Sequence, residues 1–399
     1  MKRLSERVFS TGILNPNLRV FDVIMRTEFG TSYNSYVVRG SEATAVIDSA
    51  HPRFAALYAE ELEAALGGAA PAYLIVNHTE PDHSGCIAQM LERWPALTIV
   101  TNSVAAKNLR NIVNRDDLPL HIVQDGASLS LGDRTLLFRL APFLHWPDTM
   151  FTYLPEEQTL FPCDVFGCHY CEPGVLDTHI AYPADYETSL RYYYDCIFGP
   201  FPGFVQKGLA KLADWEIQRI CPSHGPVLTK GCRLEAALSA YAAWSAPEPR
   251  NAKRIPLFYC TAYGNTRRLA QAIRNGILSI FPDADAPLLD LSDEDPDAMG
   301  QRLNESDAFL LGTPTINRDA PPPLWNLLAR ADAVNLAKRP AAVFGSFGWS
   351  GEGPGHIALR LQMLKCAAFA EPHRVCLVPS AADLEAARDF GAAFAAAIK

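Results

Sequence analysis

The stretch Tyr73-Leu74-Ile75-Val76-Asn77-His78-Thr79-Glu80-Pro81-Asp82-His83-Ser84-Gly85 breaks from a short apolar run into four potential metal ligands within six residues. The apolar run reads as a buried strand, and Pro81 stiffens the turn that follows it. Two imidazoles and two carboxylates crowded on one loop are costly unless a cation sits among them. They cannot all point one way, so the spacing suits a pair of ions better than a single one. Glu80 makes the site harder and more anionic than a third histidine would, which favours iron or manganese over zinc.

Three more strands end in groups of the same kind. An apolar strand from Thr135 to Leu140 runs into Pro142-Phe143-Leu144-His145-Trp146-Pro147-Asp148. A pair covering Met150 to Leu154 and Thr159 to Phe161 delivers Cys163-Asp164-Val165, and Gln218 to Cys221 ends in Pro222-Ser223-His224. Sheet folds place ligands at such strand ends, so His145, Asp164 and His224 are expected to converge on the first loop. Taken singly, each also reads as a core or turn residue. His169 follows Asp164 closely enough to support a ligand from behind, whereas His51, His121, His179, His356 and His373 have no such context. The pair Cys168-His-Tyr-Cys171 lacks the second pair that a zinc ribbon or rubredoxin-type iron site needs.

Upstream, residues 18 to 48 read as a strand meander, with a strand over Leu18 to Met25, and Pro52 to Leu66 as a helix closed by Gly67-Gly68. Downstream, a helix over Leu234 to Trp244 leads into Ser245-Ala-Pro247-Glu-Pro249-Arg-Asn-Ala-Lys-Arg254, whose prolines among polar residues mark a linker. The expected domains are 1–248 and 252–399. The second opens with a strand, Ile255 to Cys260, then Thr261-Ala262-Tyr263-Gly264-Asn265-Thr266 and a helix to Ile280. Hydroxyls and amides bunched at a helix N-terminus cradle phosphate. With neither a P-loop lysine nor G-x-G-x-x-G, a monophosphate is the better guest. Two later strands end similarly, in Thr313-Pro314-Thr315-Ile316-Asn317 and in Ser346-Phe347-Gly348-Trp349-Ser350-Gly351. This repetition predicts a doubly wound parallel sheet with a ligand at its switch point.

With 399 residues the chain is too long for one ordinary core. Its 49% hydrophobic and 20% charged residues read as globular, and no apolar run approaches the roughly 18 residues of a membrane span. Met1 to Arg7 lacks a signal peptide's apolar segment, so the expected location is cytoplasmic. A net charge of −9 argues against nucleic-acid binding. The ten cysteines are scattered through apolar contexts and read as reduced thiols.

His78-x-Glu80-x-Asp82-His83 resembles the H-x-H-x-D-H signature of the metallo-β-lactamase fold, with Glu80 in place of the second histidine. The whole chain resembles the flavodiiron proteins. The fold this implies is mixed α/β and α+β: a metallo-β-lactamase-like αββα sandwich followed by a flavodoxin-like doubly wound parallel sheet. By the resemblance, His78, Glu80, Asp82, His83, His145, Asp164 and His224 fall on the family's seven diiron-ligand positions, with Asp164 bridging two iron ions. Thr261 to Thr266 is similar to the family's FMN phosphate loop, and Thr313, Pro314, Thr315 and Asn317 with Ser346 to Gly351 to its isoalloxazine loops. Phe347 and Trp349 are the candidates for covering the flavin ring.

The resemblance implies reduction of dioxygen to water, of nitric oxide to nitrous oxide, or both. FMN would bring two electrons and the iron pair two more. Electrons would come from a separate donor such as rubredoxin or a flavin reductase, because no such domain follows Lys399. It also implies a head-to-tail homodimer, or a dimer of dimers, with each FMN against the partner's irons. Two other readings use nearly the same loop: a dinuclear zinc hydrolase with a flavodoxin-like regulatory domain, and a non-catalytic gas or redox sensor. The proline-rich Asp319 to Pro323 beside the flavin loop has no assigned role.

Overall fold

A computed structural model describes residues 1–247 and 251–399. The chain divides into two compact units, Met1–Pro247 and Glu248–Lys399. The middle of the expected linker, residues 248–250, lies outside the described residues.

The first unit is built on two sheets. One has seven strands in the order Lys2–Arg3, Val8–Ser10, Tyr36–Arg39, Thr44–Ile47, Tyr73–Ile75, Thr98–Thr101, Leu120–Ile122. The other has six, in the order Ser128–Ser130, Thr135–Leu140, Met150–Leu154, Thr159–Phe161, Arg219–Ile220, Leu228–Thr229. Alternation along the strands sorts side chains to two faces. Val38, Ala45, Ile47, Ile75 and Val100 of the first sheet form one core with Phe138, Met150, Leu154 and Phe161 of the second. The outward residues Val37, Val46, Leu74, Phe151, Tyr153 and Leu160 join another core with Tyr58 and Leu62 of the helix Ala55–Leu66 and with Tyr186, Tyr194 and Tyr241 of later helices. The layers are therefore helix, sheet, sheet, helix, as the sequence leads one to expect.

One local expectation fails. Leu18 to Met25 is not a strand: Val20–Phe21 turns straight back into Met25–Arg26 as a small hairpin off both main sheets. Asp22 and Val23 break it, both with positive φ, at 46° and 69°. The expected helix from Pro52 begins as a 3₁₀ turn, Pro52–Phe54, and ends at Gly67 in the left-handed conformation, the usual C-terminal role of glycine.

The second unit is a parallel sheet with the strand order Leu288–Asp290, Leu257–Tyr259, Phe309–Gly312, Pro340–Phe347, the last pairing with both Ala367–Ala368 and His373–Cys376. In chain order this is 2-1-3-4-5, so the winding reverses between Leu257–Tyr259 and Phe309–Gly312. Asp319–Pro323 begins a helix: Pro321 precedes Pro322–Ala329, with prolines in the first turn where a missing N–H costs nothing. Among the described residues, no helix is long and apolar enough to cross a membrane.

The helices Asn265–Ile280 and Ala381–Ala397 meet through two glycines. A Cβ on Gly276 would strike the Arg388 carbonyl oxygen, and one on Gly391 would strike that of Ile273. Gly391→Val should therefore destabilise the second unit by at least about 1–3 kcal/mol. Calorimetry of the full chain should show one transition falling by several degrees, while Gly355→Ala, with open space around it, leaves both transitions in place.

Candidate metal and cofactor sites

The first ligand loop divides its four groups by backbone geometry. After the strand Tyr73–Ile75 the chain runs irregularly to Glu80 (φ −55°, ψ 140°), and His78 and Glu80, two residues apart, fall in one group. Pro81 then starts a one-turn helix, Pro81–Ser84, which swings Asp82 and His83 to a different point. Two clusters result: His78, Glu80, His145 and Asp164 in one, Asp82, His83 and His224 in the other.

Asp164 joins them. Its Oδ2 lies 3.7 Å from His78 Nε2 and 3.4 Å from His145 Nε2, while its Oδ1 lies 3.0 Å from His83 Nε2 and 3.6 Å from His224 Nε2. Glu80 Oε2 is 3.2 Å and 3.1 Å from His78 and His145 Nε2. Asp82 reaches His83 at 3.4 Å and His224 at 3.1 Å. Ligand atoms about 2.0–2.2 Å from a shared metal stand about 3.3–3.6 Å apart in a tetrahedron, so these separations match the edges of two coordination shells. Both oxygens of Asp82, both of Asp164 and both nitrogens of His83 are buried without a hydrogen-bond partner. Buried carboxylate oxygens are costly in that state, and cations at the two convergence points would satisfy them. The residues present fit a dinuclear metal centre.

Groups behind the clusters hold the rings. His78 Nδ1 faces Asp148 at 3.3 Å, and Thr79 donates to the same carboxylate through its N–H (2.8 Å) and hydroxyl (2.6 Å). Although burial pushes Asp148 up, the His78 and Thr79 bonds keep it below the ordinary carboxylate range. His224 Nδ1 donates to the Ser32 carbonyl at 2.7 Å, which leaves Nε2 bare toward the cluster. Asn77 donates its backbone N–H to Asp48 Oδ1 at 2.8 Å and accepts from the Thr152 hydroxyl at 2.6 Å, tying the loop to both sheets. His169 stands beside His224, ring centroids 4.9 Å apart, with Nδ1 2.8 Å from the Thr31 hydroxyl.

Sequence reading overlooked Asp22, Thr31, Asp48 and Asp148 as parts of this neighbourhood. Asp148 closes the His145 cluster in sequence, a usable signal; Asp22, whose carboxyl feels the charge of Glu80, and Thr31 lie far from any motif. Burial first, then Glu80, pushes Asp22 up to about 6. Cys168 and Cys171 are free thiols, the first buried, and neither joins a metal-holding cluster among the described residues.

In the second unit a cleft of about 410 Å³ lies at the winding reversal. Thr261, Ala262, Tyr263, Asn265 and Thr266 line it from the first loop, Pro314 and Thr315 from the second, and Ser346, Phe347 and Gly348 from the third. Ile316 and Leu377 also line it, and sequence reading did not name them as site residues. Gly264 precedes the sixteen-residue helix in the left-handed conformation, φ 80°, with nothing near its Cβ direction. The Thr261 hydroxyl is buried and unpartnered. A free hydroxyl at a helix N-terminus fits a phosphate. Five sequence candidates do not line the cleft: Gly264, Thr313, Asn317, Trp349 and Gly351. Thr313 is buried and bonded to the Pro314 carbonyl, Gly351 packs against the Phe347 ring, and Trp349 is fully exposed.

The profile described as "ODP family beta lactamase" matches residues 31–225, and that of flavodoxin matches 257–391. A flavo-diiron protein, FprA2 of Clostridium acetobutylicum, is 43% identical over 99% of both chains. A type A flavoprotein of Rhodobacter capsulatus is 39% identical, over 95% of this chain and 87% of that one. Among solved structures, the rubredoxin:oxygen oxidoreductase of Desulfovibrio gigas superposes with a TM-score of 0.68 at 25% identity, over 100% of this chain and 98% of the other.

The charge balance predicts a pH dependence for the metal-free protein. Burial pulls the His83 imidazolium down, but Asp82 and Asp164 outweigh it and raise the group from 6.5 to about 9. Its stabilising contribution is complete below the unfolded value and disappears as pH rises through the folded one. Melting temperature of metal-free protein should therefore fall between pH 6.5 and 9. Metal-loaded protein, whose histidines must already be neutral, should lack this loss.

Proposed function

The chain belongs to the flavodiiron protein family, and from that premise we propose that it is an oxidoreductase that reduces dioxygen to water, nitric oxide to nitrous oxide, or both. The observation that carries this reading is the division of the two Asp164 oxygens between two clusters of buried ligand groups. His78, Glu80 and His145 would hold one iron, and Asp82, His83 and His224 the other, with Asp164 between them. Residues 1–248 are then the diiron domain and 252–399 the FMN domain. Iron supplies open positions for a diatomic ligand, and FMN supplies electrons.

The residues' own work is to hold and to orient. Asp148 and the Ser32 carbonyl fix the ring tautomers of His78 and His224 so that both Nε2 atoms stay free for metal. Glu80, in place of an imidazole, raises the negative charge of its cluster and disfavours the zinc hydrolase alternative. Thr261 and the amides of the following helix would receive the FMN phosphate, and Phe347 with Leu377 would bound the ring. The absence of a ribose-reading G-x-G-x-x-G pattern favours FMN over a dinucleotide. We read the electron donor as a separate protein of the rubredoxin or flavin-reductase kind, and the location as cytoplasmic.

Anaerobically purified protein should contain about two irons per chain and release FMN on extraction. Given a chemical reductant, it should consume dioxygen or nitric oxide continuously at a gas electrode, and Asp164→Ala should lose metal and turnover together. Stoichiometric zinc with full activity, extracted FAD, or binding of gas without turnover would each overturn the corresponding part.

For the active assembly we favour a head-to-tail dimer, because a two-fold axis makes both FMN-to-iron contacts at once. A mixed dimer of an Asp164→Ala chain with one disrupted in the Thr261–Thr266 loop should keep about half its sites working. A correctly loaded but dead mixed dimer would exclude transfer between chains.

A further inference from the structure

An unbroken run of aromatic rings leads from the two ligand clusters toward the surface of the first unit. Tyr193 stands beside His224, ring centroids 6.0 Å apart, and Phe198 beside His145 at 6.3 Å. Phe198 meets Tyr193 at 6.1 Å and Tyr241 at 5.7 Å. Tyr241 and Trp244, three residues apart on the helix Leu234–Trp244, lie on one side of it, their rings 5.9 Å apart. Tyr194 closes a triangle with them, 5.0 Å from each. A second route reaches the same triangle through the backbone, because the Phe166 N–H, two residues beyond Asp164, donates to the Tyr241 hydroxyl at 3.0 Å. Tyr193, Tyr194, Phe198 and Tyr241 are buried, and Trp244 at the far end is partly exposed.

Packing explains the rings but not every hydroxyl. That of Tyr194 is buried without a hydrogen-bond partner, a cost that phenylalanine would avoid while filling nearly the same space. Ser245, at the end of the Trp244 helix, is already engaged: its hydroxyl donates to the Tyr241 carbonyl at 2.6 Å and accepts from Gln206 at 2.7 Å. What a phenol has and a phenyl lacks is a ring that gives up an electron readily. Tyrosine and tryptophan are the most easily oxidised aromatic side chains, and ring centroids about 4.5–7 Å apart mark rings in contact, close enough for an electron to step between them. With no acceptor placed for the Tyr194 proton, an electron vacancy does not settle there, whereas at Trp244 the indole proton can pass to water. The run therefore drains outward.

We infer that Tyr193, Tyr241, Tyr194 and Trp244 form an escape route for oxidising equivalents, bringing electrons to the dinuclear site when the flavin cannot supply them. The inference rests on the diiron reading above, with hydrogen peroxide, the two-electron reduction product of dioxygen, as the oxidant. Peroxide reduced at the site takes up two electrons and two protons and leaves as two waters. Trp244 gives up the two electrons one at a time, releases two protons and takes the oxygen of one water. The net change is one peroxide and one tryptophan to one oxygenated tryptophan and one water. The tyrosines pass electrons on and end unchanged, and the ligand histidines are spared.

Iron-loaded full-length protein, its flavin oxidised, would be given hydrogen peroxide without air and digested for peptide mapping by mass spectrometry, with iron measured in every sample. Trp94, partly exposed like Trp244 but outside the run, is the internal control. One added oxygen should appear on Trp244 several-fold ahead of Trp94, and metal-free protein should show no such preference. Tyr194→Phe and Tyr241→Phe should keep the parent's iron and lower the Trp244 signal several-fold. Equal oxidation of Trp94 and Trp244 would mean freely diffusing radicals and overturn the route. So would a Trp244 signal unchanged in both variants. A parent lacking two irons would overturn the diiron reading itself, and elemental analysis shows that separately.

Discussion

One carboxylate between two sets of imidazoles organises the first unit. Asp164 is almost fully buried, and burial alone would drive its carboxyl toward the neutral form. His83 and His145 hold it well below the ordinary carboxylate range instead. Such a charge survives in a core only if its partners are already in place, so the structure is built to keep them there. Asp148, Thr79, Asn77 and Ser32 form a scaffold of hydrogen bonds whose own members sit on different strands and loops. Loss of any one would loosen a ring that Asp164 depends on.

The second unit solves an easier problem. A phosphate needs backbone amides and a hydroxyl, which any strand, tight turn and helix can supply, and the reversal in strand order opens the space for a planar ring beside it. The unit has no comparable buried charge cluster among its described residues. Its tightest constraint is steric, in the glycine-to-carbonyl contacts of its two longest helices.

The ligand loop, the three later strand ends and the alternation of strand and helix were readable because each is a local pattern of residue types. Backbone geometry shared His78 and Glu80 with one cluster and Asp82 and His83 with the other, a division that the spacing only hinted at. What could not be read were contacts between distant segments. Thr31 meets His169 and Asp22 comes to feel the charge of Glu80 through tertiary closure, and no periodicity announces either. The hairpin at Phe21 was read as part of a strand because Val20, Phe21, Val23, Ile24 and Met25 are all good strand formers. Positive φ at Asp22 and Val23 runs against that propensity. Trp349, a ring-covering candidate by its place in the loop, has a left-handed backbone, φ 63°, and a fully exposed side chain, neither of which the sequence announces.

The order of these segments along the chain has a consequence for biosynthesis. The metal clusters draw on groups from residue 78 to residue 224, and the strand that delivers His224 pairs with Thr159–Phe161 on one side and Leu228–Thr229 on the other. Because chains are made from the N-terminus and domains generally fold as units, the first unit can close soon after the helix Leu234–Trp244, which carries Tyr241 of its core, leaves the ribosome. The cleft of the second unit waits for Leu377, and the helix that packs on Asn265–Ile280 waits for Ala397. A nascent chain is thus able to capture metal while its flavin cleft does not yet exist, which separates the two loading steps in time.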